Sequence, residues 1–336
     1  MQYVDELMGL ETNFDIIHRV IRLGDTDACM YLIDGFCKDE LMQKILQYLM
    51  DLKAEDFPKD AHEMSKIAIP YVEVDLDDTW EKILGALLSG VFVLLLDGYE
   101  KAVLIDARTY PTRGVEEPDK DKVLRGSKDG FVETVVFNTA LIRRRIRSTD
   151  LHMEMLNAGE NSRTDIVLCY MESRVDPKLL TQIRERIRSI QVDALAMNQE
   201  SLAECLYQRK WYNPFPKFKY TERPDTAAAQ VLEGNLVILV DNSPSAMILP
   251  TTIFDVVEEA DDYYFPPVTG TYLRLTRFLI ALLTYFVTPT YLLLMNHRMW
   301  IPENLEFIIL KEDPNVPLIL QFLLLELAID GLRLAA

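Results

Sequence analysis

The chain has 336 residues, of which 49% are hydrophobic and 26% charged, and its formal net charge is −18. That length predicts two or more folded units, and the apolar content excludes a disordered chain. The acidic balance excludes nucleic acid as a main partner, because binding a phosphate backbone needs a dominant basic surface.

The opening stretch "MQYVDELMGLETNFD" is acidic and lacks the apolar centre of a signal peptide, so none is expected. "ACMYLI" (Ala28 to Ile33) is a short apolar run suited to a buried strand. It breaks at "DGF" and leads into "KDELMQKILQYLMDL", where Leu41, Ile45, Leu46 and Leu49 share one helical face. "DDTWEKILGALLSG" predicts a second helix, with Asp77 or Asp78 as N-cap and Gly90 as stop. "VFVLLLDGYEKAVLIDA" then reads as two apolar strands around a turn at Asp97-Gly98.

The same grammar returns later. "DACMYLIDGFCKDELMQKI" from Asp27 lies over "DIVLCYMESRVDPKLLTQI" from Asp165, an offset of 138. "GVFVLLLDGYEKAVLI" from Gly90 lies over "GNLVILVDNSPSAMIL" from Gly234, an offset of 144, with Asp97 on Asp241 and Ala102 on Ala246. The expectation is an internal duplication of an α/β unit of about 80 to 100 residues.

Between the halves runs "YPTRGVEEPDKDKVLRGSKDGFVE" (Tyr110 to Glu133), dense in charge and without apolar period. A loop of that length is expected to be a joint or a subunit contact. Arg113 and Arg125 alternate there with Glu116, Glu117, Asp119, Asp121 and Asp129, as an internal ion-pair network or as a surface for a partner. "RRRIR" (Arg143 to Arg147) follows and reads as an exposed helix end.

Past Tyr263 the composition changes. "FLIALLTYFVTPTYLLLM" (Phe278 to Met295) carries no charge over eighteen residues, at the short end for crossing a bilayer. Tyr272, Arg274 and Arg277 precede it and His297, Arg298 and Trp300 follow it, as interfacial anchors do; Pro289 would kink it. "VPLILQFLLLELAI" (Val316 to Ile329) is shorter and holds Gln321 and Glu326, whose carboxylate belongs on a helix interface or a wet cavity.

The four cysteines, Cys29, Cys37, Cys169 and Cys205, make no C-x-x-C pair, and Cys29 and Cys169 sit in apolar runs as buried thiols. His18, His62, His152 and His297 show no ligand spacing. No cofactor or metal is expected. The fold class is therefore α/β: two similar α/β subdomains from an internal duplication, then a C-terminal α-helical membrane region that reads as truncated. The expected boundaries are 1–109, a charged linker 110–148, 149–262, and 263–336.

The long motif, running on through "TVVFNTALIRRRIR", resembles the signature of the GerA family, the A-type subunits of spore germination receptors. "ERPD" (Glu222 to Asp225) after "NPFPK" and "DYYFPP" (Asp262 to Pro267) fit the same pattern. "EPDKDKVLRGSKDGFVE" and "SRTDIVLCYM" are similar to its stage V sporulation branch. The resemblance covers nearly the whole chain. It implies a spore inner-membrane protein with its large N-terminal part on the core side, working with a multi-span B-type subunit and a lipoprotein C-type subunit. It further implies homo-oligomers, contact with membrane lipid and a germinant-triggered ion-release path. Family members have more membrane helices than this chain carries, so the resemblance does not imply a complete pore here.

Arg113, Gly114, Arg125, Gly126, Asp129, Gly130 and Glu133 are the candidate joint or interaction residues, and Glu326 is the candidate polar group of the membrane helices. Two other readings stand beside the receptor subunit. One is a non-conducting scaffold that recruits germination proteins. The other is a membrane-surface α/β enzyme, for which "RGSKDG" would hold phosphate and "DLDD" (Asp75 to Asp78) magnesium. "RGSKDG" lacks the P-loop pattern, "DLDD" reads better as acids at a helix start, and no nucleophile–base set can be assembled, so no catalysis is expected.

Overall fold

The computed structural model describes residues 2–37, 39–110, 129–207, 216–252, 255, 266–309 and 315–335. The chain divides into two compact units, Met1–Asp261 and Asp262–Ala336.

The first unit holds two antiparallel five-stranded sheets. Strands β1 (Ile16–Leu23), β2 (Thr26–Ile33), β3 (Val74–Asp77), β4 (Phe92–Leu96) and β5 (Ala102–Ile105) are ordered β1-β2-β4-β5-β3. Strands β6 (Leu151–Ala158), β7 (Thr164–Met171), β8 (Lys219–Thr221), β9 (Leu236–Val240) and β10 (Ala246–Leu249) are ordered β6-β7-β9-β10-β8, the same pattern strand for strand. Helices α1 (Gln2–Leu7), α2 (Asp39–Met50), α3 (Ala61–Ile67) and α4 (Trp80–Leu88) accompany the first sheet. Helices α5 (Val135–Arg145), α6 (Pro177–Arg188), α7 (Gln199–Leu206) and α8 (Pro224–Glu233) accompany the second.

The duplication holds to the residue. Ala28 pairs with Leu96 and Tyr31 with Val93; Ile166 pairs with Val240 and Cys169 with Val237. These are the offsets of 138 and 144 read from the sequence. Strands β8 to β10 keep the second offset, since Asp77 pairs with Ala102 and Thr221 with Ala246.

Both faces of each sheet are covered, which is why β2 and β7 are continuously apolar rather than alternating. Ala28, Met30 and Leu32 of β2 pack with Ile45 and Leu49 of α2 and Met64 of α3. Cys29 and Tyr31, on the opposite face, pack with Val4 of α1 and Ile83 and Leu87 of α4. In the second sheet Ile166 and Leu168 meet Leu180 and Ile183 of α6, while Val167 and Cys169 meet Leu141 and Ile142 of α5 and Val231 of α8. Each such Val, Leu, Ile or Met side chain contributes about 1.5–3 kcal/mol when fully buried.

Helix α4 corrects the expected cap. Its N-cap is Thr79, not Asp77 or Asp78. Pairing with Ala102 holds Asp77 in β3, so the helix starts only after it. The Asp77 carboxylate instead accepts the Thr79 N–H at 2.8 Å and pairs with Lys82 at 3.1 Å. "DLDD" is thus mainly the end of an edge strand. Gly90 does stop the helix: its φ is +96°, and a Cβ there would run into Phe36.

In the second unit the expected apolar helix extends N-terminally to Pro267 and runs to Asn296, with Pro289 inside it. Val268–Asn296 is long and apolar enough to cross a membrane, with mean hydropathy 1.9 and none of its most apolar stretch buried in the structure. The His297 and Trp300 rings stack at 4.7 Å just beyond it. Helix Leu318–Ala335 meets it through Phe322 against Tyr291, centroids 6.2 Å apart, and carries Glu326 exposed.

Candidate functional site at the seam between the two sheets

Helix α5 belongs to the second half by sequence order and packs into that half's core through Val135, Leu141 and Ile142. Its other face meets the first half, where Ala140 packs on Ile33 and Phe36. Gly35 allows this approach: a Cβ on it would sit 3.4 Å from that of Ala140, at a φ of +77°.

Arg143, on the same face as Ala140, is fully buried, which corrects the reading of "RRRIR" as an exposed helix end. Its Nε donates to Asp15 Oδ2 at 2.7 Å and its Nη2 to Asp15 Oδ1 at 2.9 Å. Nη1 donates to the Leu151 carbonyl at 3.1 Å. A planar guanidinium grips a carboxylate with two parallel N–H groups and still reaches a carbonyl, a fork that the point charge of lysine does not reproduce. The remaining arginines divide their tasks. Arg144 lies over the Tyr110 ring at 4.3 Å, Arg145 pairs with Asp129, and Arg147 donates to the Tyr110 hydroxyl at 3.4 Å.

The run before β1 completes the seam by docking on the outer edge of β6. Phe14 N–H donates to the Met153 carbonyl at 3.2 Å, and Met153 N–H to Asn13 Oδ1 at 2.7 Å. Asn13 Nδ2 in turn donates to the Met8 carbonyl at 2.7 Å, and Thr12 Oγ1 lies 2.9 Å from His152 Nδ1. The Phe14 ring packs into the core of the second half. Behind the ion pair, burial pushes the Cys169 thiol well above its usual range; the Asp15 charge adds to this and Arg143 opposes it.

Of the sequence-chosen residues, Arg113, Gly114, Arg125 and Gly126 lie outside the described residues, as does most of "RGSKDG". Asp129 pairs with Arg145, Gly130 is buried, and Glu133 is exposed while its carbonyl accepts from Asn242 N–H at 2.8 Å. Next to them Phe131 N–H donates to the Glu222 carbonyl at 2.9 Å, and Asp241 accepts the N–H of Val135, the first residue of α5, at 3.1 Å. The end of the motif is therefore fastened to the second half. "ERPD" lies beside it, with Arg223 fully buried and forked onto Asp225 at 3.1 and 2.6 Å. The sequence reading missed Asp15, Asn13 and Arg143. One signal was available: Thr139, Ala140 and Arg143 share a helical face on which two small residues mark a close approach.

Among the described residues no three His, Cys, Asp or Glu side chains converge as a metal site. The seam joins the two sheets through one buried charge pair, helix α5 and the run before β1.

The model of the Bacillus/Clostridium GerA spore germination protein family matches residues 2–336. Stage V sporulation protein AF of Bacillus subtilis (strain 168) is 38% identical over all of this chain and 68% of its own length. The uncharacterized membrane protein YfkQ of the same organism is 30% identical over 95% of this chain and 63% of its own. The chain thus spans about two thirds of these relatives. Among solved structures, the N-terminal domain of the A subunit of the Bacillus megaterium spore germinant receptor GerK3 aligns with 75% of this chain and 93% of its own, at 27% identity and a TM-score of 0.57. The chain belongs to the GerA family of spore germination proteins.

Proposed function

We propose that this chain is an A-type subunit of a spore germinant receptor, in which the two sheets transmit a conformational change to membrane helices and so to a germinant-triggered ion-release path. The observation that carries this is the seam: Arg143 and Asp15 couple the sheets through a sealed charge pair, so motion of one lobe is felt by the other. Family membership supports the germination role, and Val268–Asn296 supports membrane association.

In this reading the partners are B-type and C-type receptor subunits, further copies of the chain, and membrane lipid. The location is the spore inner membrane, with the first unit on the core side. The charged motif acts as joint or subunit contact through Arg113, Gly114, Arg125, Gly126, Asp129, Gly130 and Glu133. Glu326 supplies a polar group among the membrane helices.

Two measurements test the reading. Whole chain and a version ending at Asp261 are washed from membranes with alkaline carbonate; the whole chain should resist and the short form should wash off. Cation efflux after germinant addition is then compared in spores with and without the chain. A whole chain that washes off, or efflux that does not change, overturns the receptor-subunit reading.

A further inference from the structure

The first sheet has two open edges of opposite charge. Strand β1 carries His18, Arg19 and Arg22 and no acid, in a chain whose net charge is −18. At the far edge of the same sheet, β3 and the residue before it carry Glu73, Asp75 and Asp77 and no base. Asp77 is held by Lys82, but among the described residues no side chain lies within ion-pair distance of Arg19, Arg22, Glu73 or Asp75. Nor, among the described residues, does any backbone group pair with the outer side of either strand. In the second sheet the corresponding edge, β6, is covered by Asn13 and Phe14.

Apolar groups stand beside these charges. Val20 of β1 is 58% exposed, and Val72, just before β3, is 96% exposed. The faces also match. Ile21 and Leu23 of β1 pack on the same side of the sheet as Val74 and Leu76 of β3, so alternation puts Ile17 on the side of Val72 and Arg22 on the side of Glu73 and Asp75.

We infer that β1 of one copy pairs with β3 of another, continuing the first sheet from chain to chain. Charge selects this arrangement. Two β1 edges would set arginine against arginine and two β3 edges acid against acid, whereas β1 against β3 sets Arg22 beside Glu73 and Asp75. The occupant is thus a second copy of this chain, docked head to tail by strand addition, a contact that generates a ring or a filament rather than a two-fold dimer. The inference deepens the oligomer part of the proposed function and rests on it.

The test uses the full chain in mild detergent, with mass followed by light scattering against concentration. The variants are Arg22→Glu, Glu73→Lys with Asp75→Lys, and all three together; circular dichroism checks that each is folded. Arg22→Glu alone and the acid-to-lysine pair alone should each weaken self-association by about tenfold or more, and the three together should restore it to within about threefold. Self-association untouched by either set of changes would overturn the contact, show the charges to be edge protection only, and leave the receptor reading standing. Tighter association of the Arg22→Glu chain would overturn it in favour of β1 meeting β1. A chain monomeric at every concentration would also overturn it, with carbonate extraction and cation efflux still deciding the receptor reading.

Discussion

Arg143 forks onto Asp15 across 128 residues of chain, with Nε–Oδ2 and Nη2–Oδ1 at 2.7 and 2.9 Å and neither side chain more than 2% exposed. The duplicated position in the second half is Asp150. Asp15 accepts the Asp34 N–H through its carbonyl at 2.8 Å, as Asp150 accepts that of Glu172 at 2.9 Å. The side chains then differ. Asp150 turns to Ser173 N–H at 3.0 Å within its own half, whereas the first half has Gly35 where Ser173 stands and Asp15 reaches across to α5. One ancestral aspartate thus serves as a local turn residue in one copy and as a clamp between copies in the other.

Removing either partner of this pair leaves a sealed, uncompensated charge. Arg143→Ala and Asp15→Ala should each destabilise residues 1–261 by about 3–5 kcal/mol. The two together should cost clearly less than the sum of the singles, because the second change removes a charge already stranded by the first. Urea unfolding of residues 1–261 checks this; a relative's N-terminal domain crystallised by itself. Strictly additive losses would show that the two side chains act independently.

The seam explains which parts of the fold were legible. The repeated strand–helix–hairpin pattern survived in apolar positions, and both offsets recur in the registers of Ala28 with Leu96 and Ile166 with Val240. Those positions answer to local periodicity, which sequence preserves. Burial of Arg143 answers to a partner 128 residues away, and its two arginine neighbours share its chemistry while one is exposed and the other half-buried. The strand end at Asp77 was hidden for a similar reason: its helix-cap chemistry is local, but its pairing with Ala102 is not. The antiparallel order of the sheets was likewise not readable, since it is set by pairings between strands distant in sequence.

Asp106 gives a pH dependence with a definite sign. Hydrogen bonding to Arg108, with Nε–Oδ1 at 2.6 Å, holds its carboxyl below the usual value, and partial burial opposes this only in part. The unfolded chain therefore binds this proton more readily than the folded one. The stabilisation is fully present above the unfolded pKa of about 4 and is lost as pH falls through the lower folded value. Asp106→Asn should be less stable than wild type at pH 7, and the gap should close in strong acid. A gap of constant size from neutral pH to strong acid would contradict the linkage.

The thiols should separate by burial. Cys29 and Cys169 are 1% and 0% exposed, and burial raises both above the usual thiol range, while Cys205 on α7 is exposed. Burial of its surroundings and then Glu204 also raise Cys205, so its reaction should accelerate with pH through and beyond the ordinary thiol range. In the folded chain a maleimide should label Cys205, leaving Cys29 and Cys169 untouched until denaturant is added. Mass mapping of the labelled peptides decides it, and early label on Cys169 would mean that the seam opens readily.

The last prediction uses the duplication as its own control. Gly98 turns the β4–β5 connection at φ +79°, and its counterpart between β9 and β10 is Asn242 at φ +59°. A Cβ on Gly98 meets nothing within 4 Å, so backbone conformation alone sets the cost of a side chain there. Asparagine tolerates the left-handed region, whereas a β-branched residue does not. Gly98→Asn should therefore be nearly neutral, Gly98→Ala should cost about 1 kcal/mol, and Gly98→Val should cost more. Gly90→Ala should exceed Gly98→Ala, because its Cβ meets Phe36 in addition to the positive φ. Unfolding free energies of the four variants give the order, and a Gly98→Asn chain as unstable as Gly98→Val would show that the two hairpins do not share a backbone path.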